Sequence, residues 1–231
     1  MDLNCKFAVV IAAGGSGTRF GGDIPKQFVE LLGFPVIAHT IKKFENCDLI
    51  SEIVIVTHRD YVVYCNDLAN ELGFKKITTV IEGGKSRQES VFKGIKQLSC
   101  DVTHVLIHDA ARPNVSEKII ESVCKNVKEY EACAVGVRVV DTIKISEDGN
   151  FITATADRSK LWQIQTPQAF EKNIILKCHK SAAFEGFEAT DDCMLAEKYG
   201  FKIKLIEGSL ANIKITDSSD LAVMEGIIKC E

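Results

Sequence analysis

The stretch "AVVIAAGGSGTRFGGDIPKQF", residues 8–28, joins an apolar run to a glycine cluster and then to two cations, Arg19 and Lys26. The apolar run is continuous rather than alternating, which is typical of a parallel strand buried on both faces. Glycines let a backbone approach an anion closely and turn its N–H groups toward it. The stretch therefore predicts an α/β fold with a phosphate-binding loop at the end of its first strand.

The same alternation of strand and helix continues along the chain. Short β-branched runs predict strands at residues 7–12, 52–57, 77–81, 104–108 and 133–140. Apolar residues at helical spacing predict helices at residues 36–44, 62–73, 86–98 and 116–130. This order indicates a mostly parallel sheet with helices on both faces, whose ligands bind beyond the carboxyl ends of the strands.

The rhythm breaks after residue 140. Residues 141–157 read as two short strands joined by a turn at 147–150, hence a protruding β-hairpin arm. An isolated hairpin is marginal in water, so the arm is expected to pack on another subunit. Helices are expected around 173–184, at 191–199 and from 216 onward, and strands near 203–206 and 213–215. We expect one domain over residues 1–231, with the arm at 141–157 as an insertion.

The composition argues against several classes of function and site. A net charge of -4 and a pI near 5.8 leave no global basic field for nucleic acid or an acidic membrane. Nine cysteines without a C-x-x-C pair fit neither a disulfide framework nor a zinc site, and indicate reduced thiols in the cytoplasm. No apolar run approaches the roughly 18 residues of a membrane span, so neither a signal peptide nor an anchor is expected.

The glycine loop fails two familiar patterns. No window supplies the G-x-x-x-x-G-K-[ST] of a P-loop. A dinucleotide fingerprint starting at Gly15 would place Phe20 at its third small position, which weakens an NAD-dependent oxidoreductase as an alternative. What remains is a loop of backbone donors followed by Arg19 and Lys26. This arrangement suits a triphosphate that is attacked at its α-phosphorus.

Two later motifs also follow predicted strands. In "GGKSRQES", Gly84, Arg87 and Ser90 lie where a helix begins, with Ser86 as a plausible N-cap. In "HDAARP", Asp109 is expected to orient substrate hydroxyls or help hold Mg²⁺.

Three further positions are interpreted from their types and neighbours. The planar fork of Arg112 suits a phosphate, whereas His108 is expected to be structural. The pair Asp191 and Asp192 is expected to complement a helix dipole rather than bind a metal.

These blocks, with "TADRSKLWQIQTPQAF", "EATDDCMLAEKYG" and "LIEGSLANIKITDSSDLA", resemble the polyol-phosphate cytidylyltransferase family over nearly the whole chain. The resemblance implies a Rossmann-like nucleotidyltransferase fold, CTP as nucleotide, Mg²⁺ as cofactor and a place in isoprenoid precursor synthesis. It also implies a homodimer whose arms cross to the neighbouring subunit. The implied acceptor is 2-C-methyl-D-erythritol 4-phosphate, and neither nucleic acid nor membrane is expected as a partner.

The resemblance also implies the site residues. Arg158 and Lys214 are expected to position the polyol phosphate, and Asp109 is the candidate metal ligand, with Mg²⁺ held mainly by the CTP phosphates. The expected catalytic residues are Arg19, Lys26, Arg158 and Lys214. The expected substrate-binding residues are Ala13, Gly14, Gly15, Gly17, Gly84, Arg87, Ser90, Asp109, Arg112, Thr142 and Thr166.

Two alternatives stay open. The first loop reads A-G-G-S-G where the family commonly has A-A-G-x-G, closer to the related ribitol phosphate enzymes, so ribitol 5-phosphate is the alternative acceptor. A non-catalytic nucleotide sensor on the same fold is the alternative from another class. The chain shows no nucleophile elbow and no H-E-x-x-H motif. Neither is needed, because a phosphate monoester is already an anionic nucleophile.

Overall fold

The computed structural model describes residues 5–15 and 24–230 of the chain. Arg19 and Gly17, two of the expected site residues, lie outside these ranges. The strands are β1 (Phe7–Ala13), β2 (Glu30–Leu31), β3 (Phe34–Pro35), β4 (Ile50–Thr57), β5 (Ile77–Glu82), β6 (His104–Asp109), β7 (Ala132–Arg138), β8 (Lys144–Ile145), β9 (Ala154–Thr155), β10 (Trp162–Glu171) and β11 (Lys204–Glu207). The helices are α1 (Val36–Glu45), α2 (Val62–Glu71), α3 (Arg87–Gln97), α4 (Glu117–Tyr130), α5 (Lys172–Glu185), α6 (Asp192–Lys198) and α7 (Ser218–Lys229).

Seven strands form the central sheet, in the order β11-β7-β10-β6-β1-β4-β5. Strand β1 lies between β4 and β6 and is parallel to both. Only β10 runs antiparallel to its two neighbours among the described strands of this sheet. The mostly parallel α/β sheet that the sequence predicts is therefore confirmed. Its parallel strands all end at one edge, and the loops that carry the expected site residues follow them there.

Successive residues of each strand feed two separate cores. Val9 and Ile11 of β1 pack on one face with α1, α2 and α4, whereas Ala8 and Val10 pack on the other face with α3, α5 and α6. Because both faces are covered, the strand has no polar side, which explains its continuous apolar run. Helix α7 packs separately, with Met224 against Leu31, Val36 and Ile215.

Strand β10 was not predicted. Its polar start, "WQIQTPQ", hides the period of a strand, and its register shifts between Ile164 and Gln168, around Pro167. Proline lacks the N–H that a sheet ladder needs and is confined to edges and irregularities. This register shift turns the side chains of Gln165 and Thr166 toward the edge of the sheet where the site lies.

The expected strand at 213–215 is wrong. The segment alternates because it buries Ile215, while the Ile215 N–H donates a single bond to the carbonyl of Ala111. One buried side chain between two less buried ones gives the alternating pattern of a strand, although the segment pairs with no described strand. The segment thereby carries Lys214 to the site.

Residues 140–160, between β7 and β10, form an excursion from the sheet in which every residue except Ala156 is exposed. Lys144 pairs with Thr155 and Ile145 with Ala154, a ladder two residues long on each side. Asp148 accepts hydrogen bonds from the backbone N–H groups of Asn150 and Phe151 and so closes the turn.

All nine cysteines lie within the described residues, and none forms a disulfide. Within residues 5–15 and 24–230, no helix combines the length and apolarity that crossing a membrane requires.

Candidate active site

The described residues form a cavity of about 430 Å³ at the carboxyl ends of β1, β5 and β6. Its walls come from the glycine loop, the start of α3, the turn after β6 and the segment that holds Lys214. A second cavity of about 340 Å³ shares Gly14, Gly84 and Lys85 with the first. Segments far apart in sequence therefore meet at the sheet edge where the topology predicts a ligand site.

Gln27 holds the described part of the glycine loop. Its carboxamide nitrogen donates to the carbonyl oxygens of Ala13, at 2.6 Å, and Gly15, at 2.9 Å. Gln27 is buried, between Lys26 and Phe28 in a short 3₁₀ helix, and the Phe28 ring stacks on Tyr61 at 4.1 Å. Because Gln27 engages the loop carbonyls, Lys26 is fixed beside the loop and lines the cavity.

The turn after β5 is closed by the first turn of α3. Ser86 is the N-cap, as expected, and accepts from the Glu89 N–H. The Ser90 hydroxyl donates to the Ser86 carbonyl at 2.8 Å and accepts from the Gly84 N–H at 2.9 Å. A Cβ on Gly84 would lie 2.5 Å from the Cβ of Glu89, so only glycine fits this approach. Gly84 and Ser90 therefore shape the wall of the cavity.

Asp109 lies at the end of β6 among three cations. Its Oδ2 is 2.7 Å from Lys214 Nζ and 3.8 Å from Arg112 Nε, and its Oδ1 is 3.4 Å from Arg87 Nε. Burial alone would raise the pKa of this carboxyl group, but the charges of Arg87 and Lys214 outweigh it and hold the pKa well below its usual range. Asp109 is therefore ionised, and it ties Lys214 to the β6 end of the cavity.

Arg87 connects Asp109 with a second carboxylate, Asp192, for which the sequence predicts only a place at a helix end. Its NH1 donates to Asp192 Oδ2 at 2.7 Å, and the Asp192 side chain is buried. Burial opposes the charge of Arg87, but Asp192 and Asp109 together raise the pKa of the guanidinium. Asp191 does cap α6, by accepting from the Met194 N–H, as expected. The ion pair of Asp192 was not predicted because its partner, Arg87, is 105 residues away in the sequence.

Arg112 and Thr166 lie behind the cavity wall. Arg112 is buried and donates to the backbone carbonyl of Asn212 at 2.7 Å, which fastens the segment before Lys214. The Thr166 hydroxyl, also buried, accepts from the Asp109 N–H at 3.1 Å. Both residues thus adjoin Asp109 and support the turn that holds it.

Two expected residues lie on the exposed excursion instead. Thr142 is exposed, and Arg158 is exposed with its NH1 donating to the Val140 carbonyl at 2.7 Å. Neither lines a cavity formed by the described residues of this single chain.

The described residues offer few ligands to a metal ion. Over residues 5–15 and 24–230, no group of three or more histidine, cysteine or acidic side chains is placed to hold one. Asp109 is the carboxylate that lines the larger cavity, and its oxygens already face Arg87 and Lys214. These residues fit an ion that arrives with an anionic ligand rather than one held by the protein alone.

A mostly parallel sheet with a glycine loop, cations and one ionised aspartate at its strand ends defines an enzyme site for a phosphorylated nucleotide. The family model of IspD, 2-C-methyl-D-erythritol 4-phosphate cytidylyltransferase, matches residues 7–230. The chain belongs to this family. It is a nucleotidyltransferase that transfers a cytidylyl group from CTP to 2-C-methyl-D-erythritol 4-phosphate in the non-mevalonate route to isoprenoids.

Known proteins agree over nearly the full length. The 2-C-methyl-D-erythritol 4-phosphate cytidylyltransferase of Clostridium novyi is 44% identical over 230 residues, which cover 99% of this chain and 98% of that protein. The protein of the same name from Caldanaerobacter subterraneus subsp. tengcongensis is 45% identical over 219 residues, 94% of this chain and 96% of its own.

A solved structure matches the fold as well. The 4-diphosphocytidyl-2C-methyl-D-erythritol synthase of Anaerococcus prevotii superposes with a TM-score of 0.86 at 28% identity, covering 98% of this chain and 97% of that one.

Proposed function

We propose that the larger cavity is where this transfer takes place, with CTP on the glycine-loop side and the polyol phosphate on the Lys214 side. The observation that carries this assignment is the 2.7 Å pair between Asp109 and Lys214, in the same cavity as Gly14, Lys26 and Gly84. The pair supports an acceptor phosphate at Lys214, in the cavity that the loop assigned to the triphosphate also lines.

The chemistry requires no protein nucleophile. The acceptor phosphate attacks the α-phosphorus of CTP, the bond to the β-phosphate oxygen breaks, and pyrophosphate leaves. Lys26, with Arg19, stabilises the charge that develops on the phosphoryl oxygens. Lys214 neutralises the approaching monoester, and Asp109 holds Lys214 in place.

The family's divalent cation is proposed to be Mg²⁺. It would be held mainly by the triphosphate oxygens. Asp109, the carboxylate that lines the cavity, would be its protein ligand. When bound, such an ion neutralises phosphate charge. The nine unpaired thiols support a cytoplasmic location.

A homodimer with exchanged arms is the second part of the proposal. The excursion exposes Val140, Phe151 and Ile152 at 68%, 74% and 65% of their surface. A two-residue ladder gives them no core of their own, so a second copy of the chain is the natural cover. We assign Thr142 and Arg158 to the neighbouring subunit's site, which is consistent with neither residue lining a cavity formed by the described residues.

The test mixes two inactive homodimers, Lys26→Ala and Arg158→Ala, after unfolding and reassociation. A mixed dimer regenerates one intact site, with the loop from one chain and the arm from the other. Random pairing makes half of the dimers mixed, so activity should return to about a quarter of wild type. No recovery, with mixed dimers confirmed by mass, would contradict the shared site.

A further inference from the structure

His108 is buried next to the site and uses both nitrogens of its ring. Its Nε2 lies 3.1 Å from the carbonyl oxygen of Arg112, and its Nδ1 lies 3.0 Å from the Thr166 hydroxyl. The ring packs edge-on to Phe44 at 4.9 Å. The charged groups around it are Asp109, Arg112 and Lys214.

The partners of the ring fix the position of its proton. A carbonyl oxygen only accepts hydrogen bonds, so Nε2 must carry the hydrogen. The ring is fully buried against Phe44 and both of its nitrogens face uncharged partners, so the ring is neutral and Nδ1 has a bare lone pair. The Thr166 hydroxyl must then donate its one proton to Nδ1, while it accepts from the Asp109 N–H.

These bonds close a ring around the turn that follows β6. They run from the Asp109 N–H to Thr166, from Thr166 to His108, and from His108 to the Arg112 carbonyl. The Arg112 N–H donates to the Asp109 carbonyl at 3.0 Å and completes the loop. The backbone of Asp109 is therefore held at both its N–H and its carbonyl group.

We propose that His108, as its Nε2–H tautomer, is a positioning residue that sets the direction of the Thr166 hydroxyl and thereby the place of Asp109. Thr166 has no proton left for a phosphate oxygen, which can only accept. Its part in acceptor binding is to hold Asp109, or to accept a bond from a substrate hydroxyl, but not to donate to the phosphate. This inference rests on the proposed acceptor side of the cavity.

Two substitutions of His108 distinguish the roles of its two ring nitrogens. His108→Asn keeps an acceptor near the Nδ1 position, and His108→Gln keeps a donor near the Nε2 position. The Asn variant should retain the KM for 2-C-methyl-D-erythritol 4-phosphate, whereas the Gln variant should raise it about tenfold, the effect of one lost buried hydrogen bond. Thr166→Val should raise the KM similarly and should add little when combined with His108→Gln.

Thermal stability provides the control. If the KM of the two variants followed their melting temperatures instead of the nitrogen that was replaced, His108 would be a packing residue and the inference would be wrong. Additive effects of His108→Gln and Thr166→Val would contradict it as well. If the wild-type protein showed no turnover at all, that result would contradict the proposed function instead.

A measurement on the unaltered protein needs neither activity nor a variant. Long-range ¹H–¹⁵N correlation spectra of the ¹⁵N-labelled chain distinguish the two neutral tautomers and the charged ring. The inference requires the neutral Nε2–H form for His108 at pH 7. Observation of the Nδ1–H form or of the imidazolium would overturn it.

Discussion

At the scale of single residues, the site is an arrangement of charges held by one another and by neutral polar groups. Asp109 is ionised because Arg87 and Lys214 outweigh the effect of its burial. Gln27, which carries no charge, fixes the loop carbonyls and sets Lys26 beside them. Cations that are fixed before the substrate arrives stabilise developing charge without reorganising, which is the main means of catalysis in phosphoryl transfer.

Lys26→Ala should lower kcat by about 100- to 1000-fold, because this cation is assigned to charge that develops in the transition state. The affinity for CTP should survive in part, as measured by calorimetric titration. Lys202→Ala is the matched control, since this exposed lysine lines neither cavity formed by the described residues. Near-normal turnover of Lys26→Ala would remove Lys26 from the site.

The sequence predicts some of these residues and misses others for a physical reason. Gly14, Lys26 and Asp109 follow strands of one parallel sheet, so their meeting at one edge follows from topology. Asp192 meets Arg87 only in the folded chain, across 105 residues of sequence, and no local pattern encodes that contact.

At the scale of elements, α3 packs closely on the sheet and its first turns line the cavity. Gly94 makes that approach possible, because a Cβ there would lie 2.6 Å from a methyl group of Val10 and 2.7 Å from one of Val56. Arg87 and Ser90, at the start of the same helix, depend on this packing for their positions. The strands and helices were predicted well where one period dominates, and poorly at β10, where Pro167 and polar residues interrupt it.

Gly94→Ala should destabilise the fold by about 1–3 kcal/mol, the usual effect of overfilling a packed core. Gly226→Ala is the control, since it also lies within a helix, α7, but its Cβ would meet no described atom within 4 Å. The control should be neutral or stabilising by up to about 1 kcal/mol, because alanine favours helices over glycine. Urea unfolding compares the two, and equal stabilities would contradict the close packing of α3.

At the scale of the whole molecule, two buried histidines link stability to pH. His108 lies under the turn after β6, and His179 stacks on Phe92 at 5.3 Å on the other side of the sheet. Burial lowers the pKa of each to about 4, from an ordinary value of 6.5.

The two histidines should therefore leave the free energy of unfolding unchanged above pH 6.5, and they should lower it as the pH drops toward 4. In that window the unfolded chain binds protons that the folded chain does not bind. This difference lowers the free energy of unfolding by about 2 kcal/mol for each histidine between pH 7 and pH 5. Asp109, whose pKa is depressed, loses its contribution only at lower pH. Urea unfolding at both pH values tests this, and an unchanged free energy would place these imidazoles in contact with water.

Pyrophosphate release from CTP and Mg²⁺ should be measured with either 2-C-methyl-D-erythritol 4-phosphate or ribitol 5-phosphate as the acceptor. We predict stoichiometric pyrophosphate and cytidine diphosphate alcohol with the methylerythritol phosphate, and much slower release with ribitol 5-phosphate. Lys214→Ala should reduce the first reaction and leave CTP binding in place. Faster turnover of ribitol 5-phosphate, or CTP binding without any pyrophosphate, would contradict cytidylyl transfer to methylerythritol phosphate.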